Sequence, residues 1–154
     1  MTYENLLQEA ADENVYVIED APFQSLADGL IRNDVIGINR TVRRSTQRAC
    51  VLAEELGHYH TTVGDIIDQS SDSNRKQELR ARLWSYNKLI GLHGIISCYK
   101  TGCQTAYDMA EHLGVTEEFL HEALQCYRSK YGIYTRFDNY VVYFEPTLSV
   151  LELI

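Results

Sequence analysis

A metal-binding pattern lies near the middle of the chain, in the five residues Glu54-Glu55-Leu56-Gly57-His58. Glu54 and His58 are four positions apart, so on a helix they lie on the same face, one turn from each other, and can reach one ion. Carboxylate and imidazole groups are both ligands for divalent metals. Glu55 lies beside that face, where its carboxylate could take a proton from a water on the ion. The pattern therefore predicts a metal site with a general base next to it.

The pattern differs by one residue from His-Glu-x-x-His, which on a helix binds zinc and supplies the general base of metalloproteases. Glu54 replaces the first histidine. Paired glutamates and a histidine also occur on solvated helix faces without any role, so the spacing alone does not decide. Its surroundings favour a site, because Ala49, Leu52, Ala53 and Leu56 are at helical spacing and predict a buried face. Carboxylates beside such a face are costly unless they are paired, hydrogen-bonded or bound to metal.

Two blocks of the chain resemble one known family, the ImmA/IrrE-type metallopeptidases of phages and integrative elements. Residues 48–60 look like the active-site helix of the branch that has Glu at the first motif position. Residues 77–85 are similar to the helix with the pattern Glu-x-x-Ala-x-x-aromatic-Ala, with Ser85 in place of the last Ala. Residues 30–41 fit the strand pair that usually precedes the active-site helix. The blocks come in the family's order, and the resemblance as a whole covers most of the chain.

The resemblance implies a metal ion held by Glu54, His58 and Glu78, with Glu55 as the catalytic base. Catalytic zinc sites commonly have three protein ligands, often two histidines and a carboxylate, and an open position for water. Two carboxylates and one imidazole make a harder, more anionic set, which shifts the preference towards manganese or iron. We therefore expect one divalent metal, zinc first, with manganese or iron as alternatives.

As to function, the resemblance implies a cytoplasmic metal-dependent endopeptidase. Its substrate would be a helix-turn-helix repressor, and cleavage would relieve repression of a phage or other mobile genetic element. A second class of function stays open: a non-catalytic antirepressor or adaptor that binds a repressor or other regulator by occupancy. The missing first histidine favours this alternative. A peptidase acts substoichiometrically and yields fragments, whereas an adaptor acts stoichiometrically and leaves its partner at full length.

The predicted fold class is α+β, with a zincin-like mini-domain (a small sheet plus the active-site helix) in residues 1–100 and a helical, winged-helix-like unit in residues 101–154. The expected helices are 3–13, 45–60, 75–99, 106–113 and one that begins after Thr116. The expected strands are 15–18, 29–31, 35–38, 133–137 and 140–145. Ser45 is expected to cap the motif helix. The polar residues 61–74, Asp65 among them, are expected to form a loop over the site, where Asp65 and His60 could orient a ligand or simply be exposed.

The C-terminal unit resembles a helix-turn-helix scaffold, with its corner at Ala110, Gly114 and Val115, and Thr116 is expected to cap the helix that follows. A DNA-reading unit is expected to be basic. Residues 101–131 instead carry five acidic and two basic side chains, a net charge of −3. This charge disfavours direct DNA binding and favours a packing or protein-docking module.

Charge is uneven along the whole chain. Residues 1–73 carry 13 acidic and 5 basic side chains, a net charge of −8, whereas residues 74–154 carry nine of each. The half that contains the motif should therefore attract basic segments of a partner protein and repel nucleic acid.

The apolar runs, the first residues and the cysteines together indicate the cellular compartment. No apolar run approaches the roughly 18 residues that span a bilayer, and the first residues lack the basic and apolar pattern of a signal peptide. We therefore expect a cytoplasmic protein with no membrane partner. The cysteines, which show no Cys-x-x-Cys spacing, are expected to be free thiols, since the cytoplasm is reducing; they are Cys50, Cys98, Cys103 and Cys126.

Overall fold

The computed structural model describes residues 1–62 and 71–154, with the backbone alone for residues 71–73. The described chain is a mixed α+β protein that divides into two compact units, residues 1–88 and residues 89–154. This division falls before residue 100, where the sequence placed the boundary. In the described part of the chain, no helix combines the length and the apolar character needed to cross a membrane.

The first unit contains three helices and a three-stranded sheet. In chain order its elements are α1 (Tyr3–Asp12), β1 (Tyr16–Ala21), β2 (Gly29–Arg32), β3 (Val35–Asn39), α2 (Ser45–Thr61) and α3 (Ser71–Leu89). The strand order is β1-β3-β2, with β1 parallel and β2 antiparallel to the central β3. Ile36 and Ile38 of β3 are fully buried. The hairpin turns at Asn33, whose φ of 57° is a conformation that Asn adopts more readily than most residues.

Helix α2 carries the motif and packs against α1, β2 and β3. Its buried face is formed by Ala49, Leu52, Ala53 and Leu56, as the helical spacing predicts. Arg48 fixes the beginning of the helix, because its guanidinium donates to the Val42 carbonyl at 2.8 Å and to the Asp20 carboxylate of β1 at 2.8 Å.

Helix α3 is fastened to α1 as well as to α2. The Lys88 ammonium lies 2.6 Å from the Glu9 carboxylate of α1. Trp84 of α3 stacks on His60 of α2, with ring centroids 4.8 Å apart, and His60 in turn lies 2.8 Å from the Glu13 carboxylate. These contacts hold α3 beside the motif.

Three expectations about helix ends are wrong. Ser45 is the first residue of α2 rather than its cap; Arg44 takes the N-cap position and makes no side-chain capping hydrogen bond. Helix α3 begins at Ser71, so residues 71–74 are helical rather than part of a loop; residues 63–70 of the expected loop, Asp65 included, lie outside the described residues. The single helix expected over 75–99 is broken at Ile90, and a new helix starts at Gly91, whose φ of +63° lies outside the right-handed helical region.

The second unit contains three helices and an antiparallel sheet. Its elements are α4 (Gly91–Lys100), α5 (Ala106–Leu113), α6 (Glu117–Tyr131), β4 (Tyr134–Phe137), β5 (Tyr140–Tyr143) and β6 (Ser149–Glu152). The strand order is β4-β5-β6, and the sequence did not predict β6. Its fully buried core includes Leu120, Tyr127 and Val142.

The caps expected in this unit are confirmed. Gly114 ends α5 in the left-handed conformation, with φ at 70°. The Thr116 hydroxyl accepts from the Phe119 amide at the beginning of α6. A capping box at Thr105 begins α5, and the sequence did not predict it.

Candidate metal centre

The motif residues and the second-helix glutamate lie side by side in the first unit. Glu54, Glu55 and His58 are on α2 and are partly exposed. Across the helix pair, His58 Nε2 lies 3.3 Å from Glu78 Oε2 of α3. The His58 side chain is 26% exposed and that of Glu78 is 46% exposed, so both groups are accessible from solvent. The structure thus brings together two of the predicted ligands from helices that are distant in sequence.

Close approach of the two helix backbones makes this contact possible. A Cβ atom added to Gly57 would lie 2.3 Å from the carbonyl oxygen of Ala81, far inside van der Waals contact. Ala81 is fully buried at this crossing. Because Gly57 precedes His58 and Ala81 lies about one turn after Glu78, the crossing places His58 and Glu78 opposite each other.

Both oxygens of Glu78 have basic partners. Oε2 faces His58, and Oε1 lies 3.1 Å from Nε of Arg82, one helical turn further along α3. Burial lowers the pKa of Arg82, but the negative charges around it, led by Glu78 and including Glu54, outweigh that effect, and the pKa is raised. Arg82 therefore holds the Glu78 carboxylate in its orientation towards His58.

Glu55 lies against the edge strand β2. A Cβ atom added to Gly29 would lie 3.0 Å from Glu55 Cγ, 3.0 Å from Glu55 Oε1 and 2.6 Å from Val51 Cγ1. The missing side chain at position 29 therefore provides the space that the Glu55 side chain occupies. This contact fixes the candidate base between the sheet edge and α2.

Glu54, Glu55 and Glu78 form a cluster of acidic side chains, called the acidic cluster. Burial raises the pKa of Glu55 to about 7, and the negative charges of Glu54 and Glu78 add to that effect. Like charges that approach in a partly buried site disfavour further ionisation. A cation would relieve this repulsion.

The residues fit a divalent ion by their chemistry. Two carboxylates and an imidazole are a donor set that zinc, manganese and iron accept. The 3.3 Å between His58 Nε2 and Glu78 Oε2 is close to the separation of two donor atoms on one tetrahedral ion, about 3.3 Å for bonds of about 2.0–2.1 Å. Among the side chains that the structure describes, those of residues 1–62 and 74–154, no three His, Cys, Asp or Glu groups are arranged as a ready ligand group. Glu54 acts in the acidic cluster through its charge on Glu55 and Arg82.

His60, which the sequence offered as a group that could orient a ligand, has other contacts. It lies between the Glu13 carboxylate and the Trp84 ring. These contacts give it a role in holding α1, α2 and α3 together.

Three further residues shape the site and were missed from the sequence: Gly29, Gly57 and Arg82. The spacing of Glu78 and Arg82, four residues apart on a helix, is a signal that could have identified the ion pair. No local signal indicates that Gly29 faces Glu55, because the two belong to different elements.

The fold and the site define a class, that of small α+β proteins in which a Glu-Glu-x-x-His helix meets a glutamate of a second helix. The chain matches the family model Peptidase_M78, the IrrE N-terminal-like domain, over residues 6–125. The chain therefore belongs to this family, which indicates a metallopeptidase-like role. Neither the curated proteins nor the solved structures contain a match.

Proposed function

We propose that the protein is a cytoplasmic endopeptidase that depends on one divalent metal, zinc first, with manganese or iron as alternatives. The observation that carries the proposal is the contact of His58 with Glu78 beside Glu55, in a chain of the IrrE N-terminal-like family. In this proposal the first unit is a zincin-like mini-domain of a small sheet and an active-site helix.

Glu54, His58 and Glu78 would hold the ion. When bound, a divalent ion supplies a Lewis acid that polarises the scissile carbonyl and makes a nearby water more acidic. Glu55, held at the edge of β2, takes the proton from the attacking water and returns it to the leaving amine. Arg82 orients Glu78 through Oε1 and leaves Oε2 directed towards His58.

The proposed substrate is a helix-turn-helix repressor of a phage or other mobile genetic element, by resemblance to the ImmA/IrrE branch with Glu at the first motif position. The net charge of −8 in residues 1–73 supports a basic substrate segment. We propose that the second unit, a winged-helix-like arrangement, docks the partner protein rather than DNA. Its residues 101–131, with a net charge of −3, support this role.

Metal binding is the first test. Elemental mass spectrometry and calorimetric titration with zinc and manganese should give about one equivalent per chain for the wild type, since the three groups form one site. The variants His58→Ala and Glu78→Ala should lose it. His121→Ala, which removes an exposed histidine of α6, is the matched control and should bind like the wild type. A wild-type chain that takes up neither metal would refute the proposed site.

Cleavage is the second test. A purified helix-turn-helix repressor incubated with a substoichiometric amount of the metal-loaded protein should be cut into fragments. Glu55→Gln should keep the metal and lose cleavage, because the amide cannot accept the proton. A stable stoichiometric complex with an intact repressor would instead establish the non-catalytic antirepressor or adaptor.

A further inference from the structure

Two cysteines meet at the C-terminal end of α4, in the second unit. The helix ends in a Schellman motif, in which the Cys103 amide donates to the Cys98 carbonyl at 3.0 Å and the Gly102 amide donates to the Tyr99 carbonyl at 3.1 Å. Gly102 occupies the left-handed position, with φ at 81°. This motif commonly brings together the side chains of its first and last residues. Here those residues are Cys98 and Cys103.

The two thiols share one cavity but differ in environment. Cys98 is 2% exposed, whereas Cys103 is half-buried and has the Thr101 hydroxyl 3.6 Å from its sulfur. Burial, reinforced by Cys103, raises the pKa of Cys98 to about 12. A reagent from solvent therefore reaches Cys103 first, whereas the Cys98 thiol is buried and stays protonated.

A cavity of about 450 Å³ adjoins the pair. Both cysteines line it, together with apolar side chains that include Met109, Leu124 and Val150. A small neutral oxidant such as hydrogen peroxide can enter a space of this size and character. The cavity also leaves room for the sulfur atoms to move when they form a bond.

We propose that Cys98 and Cys103 are a reversible modification site, which peroxide converts to an intrachain disulfide and a small-molecule thiol reduces again. The Cys103 sulfur attacks a peroxide oxygen, so that an S–O bond forms, the O–O bond breaks and one water leaves. The Cys98 sulfur then displaces the hydroxyl group as a second water, forming the S–S bond and giving up its proton. The two thiols lose two electrons in total, and hydrogen peroxide is reduced to two waters. This site is independent of the proposed peptidase activity.

Peptide mapping of the full-length protein tests the proposal. The reduced protein is treated with hydrogen peroxide, and the remaining thiols are alkylated. Trypsin then cuts at Lys100, between the two cysteines, and Glu-C cuts at Glu111, between Cys103 and Cys126. A pair of peptides joined through Cys98 and Cys103 should appear, and dithiothreitol should remove it. Cys50 and Cys126 are internal controls. Because the helix cap holds the two cysteines beside one cavity, their disulfide should form at least about tenfold faster than any disulfide of the controls.

Two kinds of variant separate proximity from general reactivity. In Cys98→Ala, Cys103 has no resolving partner, so it should accumulate as sulfenic or sulfinic acid. Gly102→Val disfavours the left-handed conformation that brings the thiols together, and it should slow the disulfide several-fold. Gly132→Val is the matched control, since Gly132 also has a positive φ, of 78°, with no atom near a Cβ added there.

Other results would overturn the proposal. Oxidation that stops at Cys103 in the wild type, or that yields only disulfides between chains, would show that Cys98 does not resolve the intermediate. An equal rate in the wild type and Gly102→Val would show that the helix cap does not position the pair.

Discussion

Replacing Gly57 by alanine tests whether the approach of α2 and α3 builds the metal centre. The added Cβ would lie 2.3 Å from the Ala81 carbonyl oxygen, whereas ordinary contacts begin at 3.4 Å. Because the opposing atom belongs to a helix backbone, it cannot rotate away, and the helices must separate by roughly 1 Å to restore van der Waals contact. His58 and Glu78, now 3.3 Å apart, would then move out of contact.

The magnitude follows from two opposing effects. Overpacking of a tight contact costs about 1–3 kcal/mol, and alanine in a helix interior is favoured over glycine by about 1 kcal/mol. Because the added Cβ would lie so close to the Ala81 carbonyl oxygen, we take the upper end of the overpacking cost. We therefore expect a net loss of about 2 kcal/mol in the free energy of unfolding, or roughly 4–8 °C in Tm for a chain of this length. Metal affinity should fall about tenfold or more, as when ligand orientation is lost.

Gly94→Ala is the matched control for Gly57→Ala. Gly94 also lies inside a helix, but the nearest atom to an added Cβ is a methyl group of Leu113 at 3.2 Å, the end of a flexible side chain. This variant should be neutral or stabilised by up to about 1 kcal/mol. Thermal unfolding and zinc titration of both variants would check the reasoning. If Gly57→Ala were as stable as Gly94→Ala and bound zinc like the wild type, the backbone contact would not be what positions Glu78.

Three more outcomes are expected. The folded-state pKa of Glu55 is raised from 4.5 to about 7. The neutral Glu55 carboxyl therefore makes its full contribution to the free energy of unfolding below pH 4.5, and this contribution is lost as the pH rises through 7. At about 1.4 kcal/mol per pKa unit, Glu55→Gln should stabilise the metal-free protein by about 3 kcal/mol at pH 8 and hardly at all at pH 4. Denaturant titrations at the two pH values would measure this difference. Equal effects at both pH values would contradict the raised pKa of Glu55. Arg82→Met should weaken metal binding by freeing Glu78, with Arg82→Lys recovering part of it and Arg80→Met without effect in the same calorimetric titration. Thr116→Ala should cost about 1 kcal/mol in the free energy of unfolding, since it removes the cap of α6; an unchanged midpoint in denaturant would argue against that cap.

Local signals predicted the elements whose geometry depends on their own residues. The turn at Asn33, the left-handed Gly114 and the cap at Thr116 all follow from conformations or hydrogen bonds available within a few residues. The prediction of one helix over 75–99 was wrong because the break depends on a contact that is distant in sequence. The apolar pattern continues through the break, but the Gly91 amide donates to the Tyr127 hydroxyl, a partner 36 residues away.

The sequence by itself determined that Glu54, Glu55 and His58 share one helix, because the spacing of the residues and the period of the helix are both local properties. It also indicated Glu78, through the resemblance of its block to a known family. Only the tertiary structure decided that Glu78 reaches His58. That contact depends on the space between two helices, which is set by the absence of a side chain on Gly57 against the backbone of a segment more than 20 residues away.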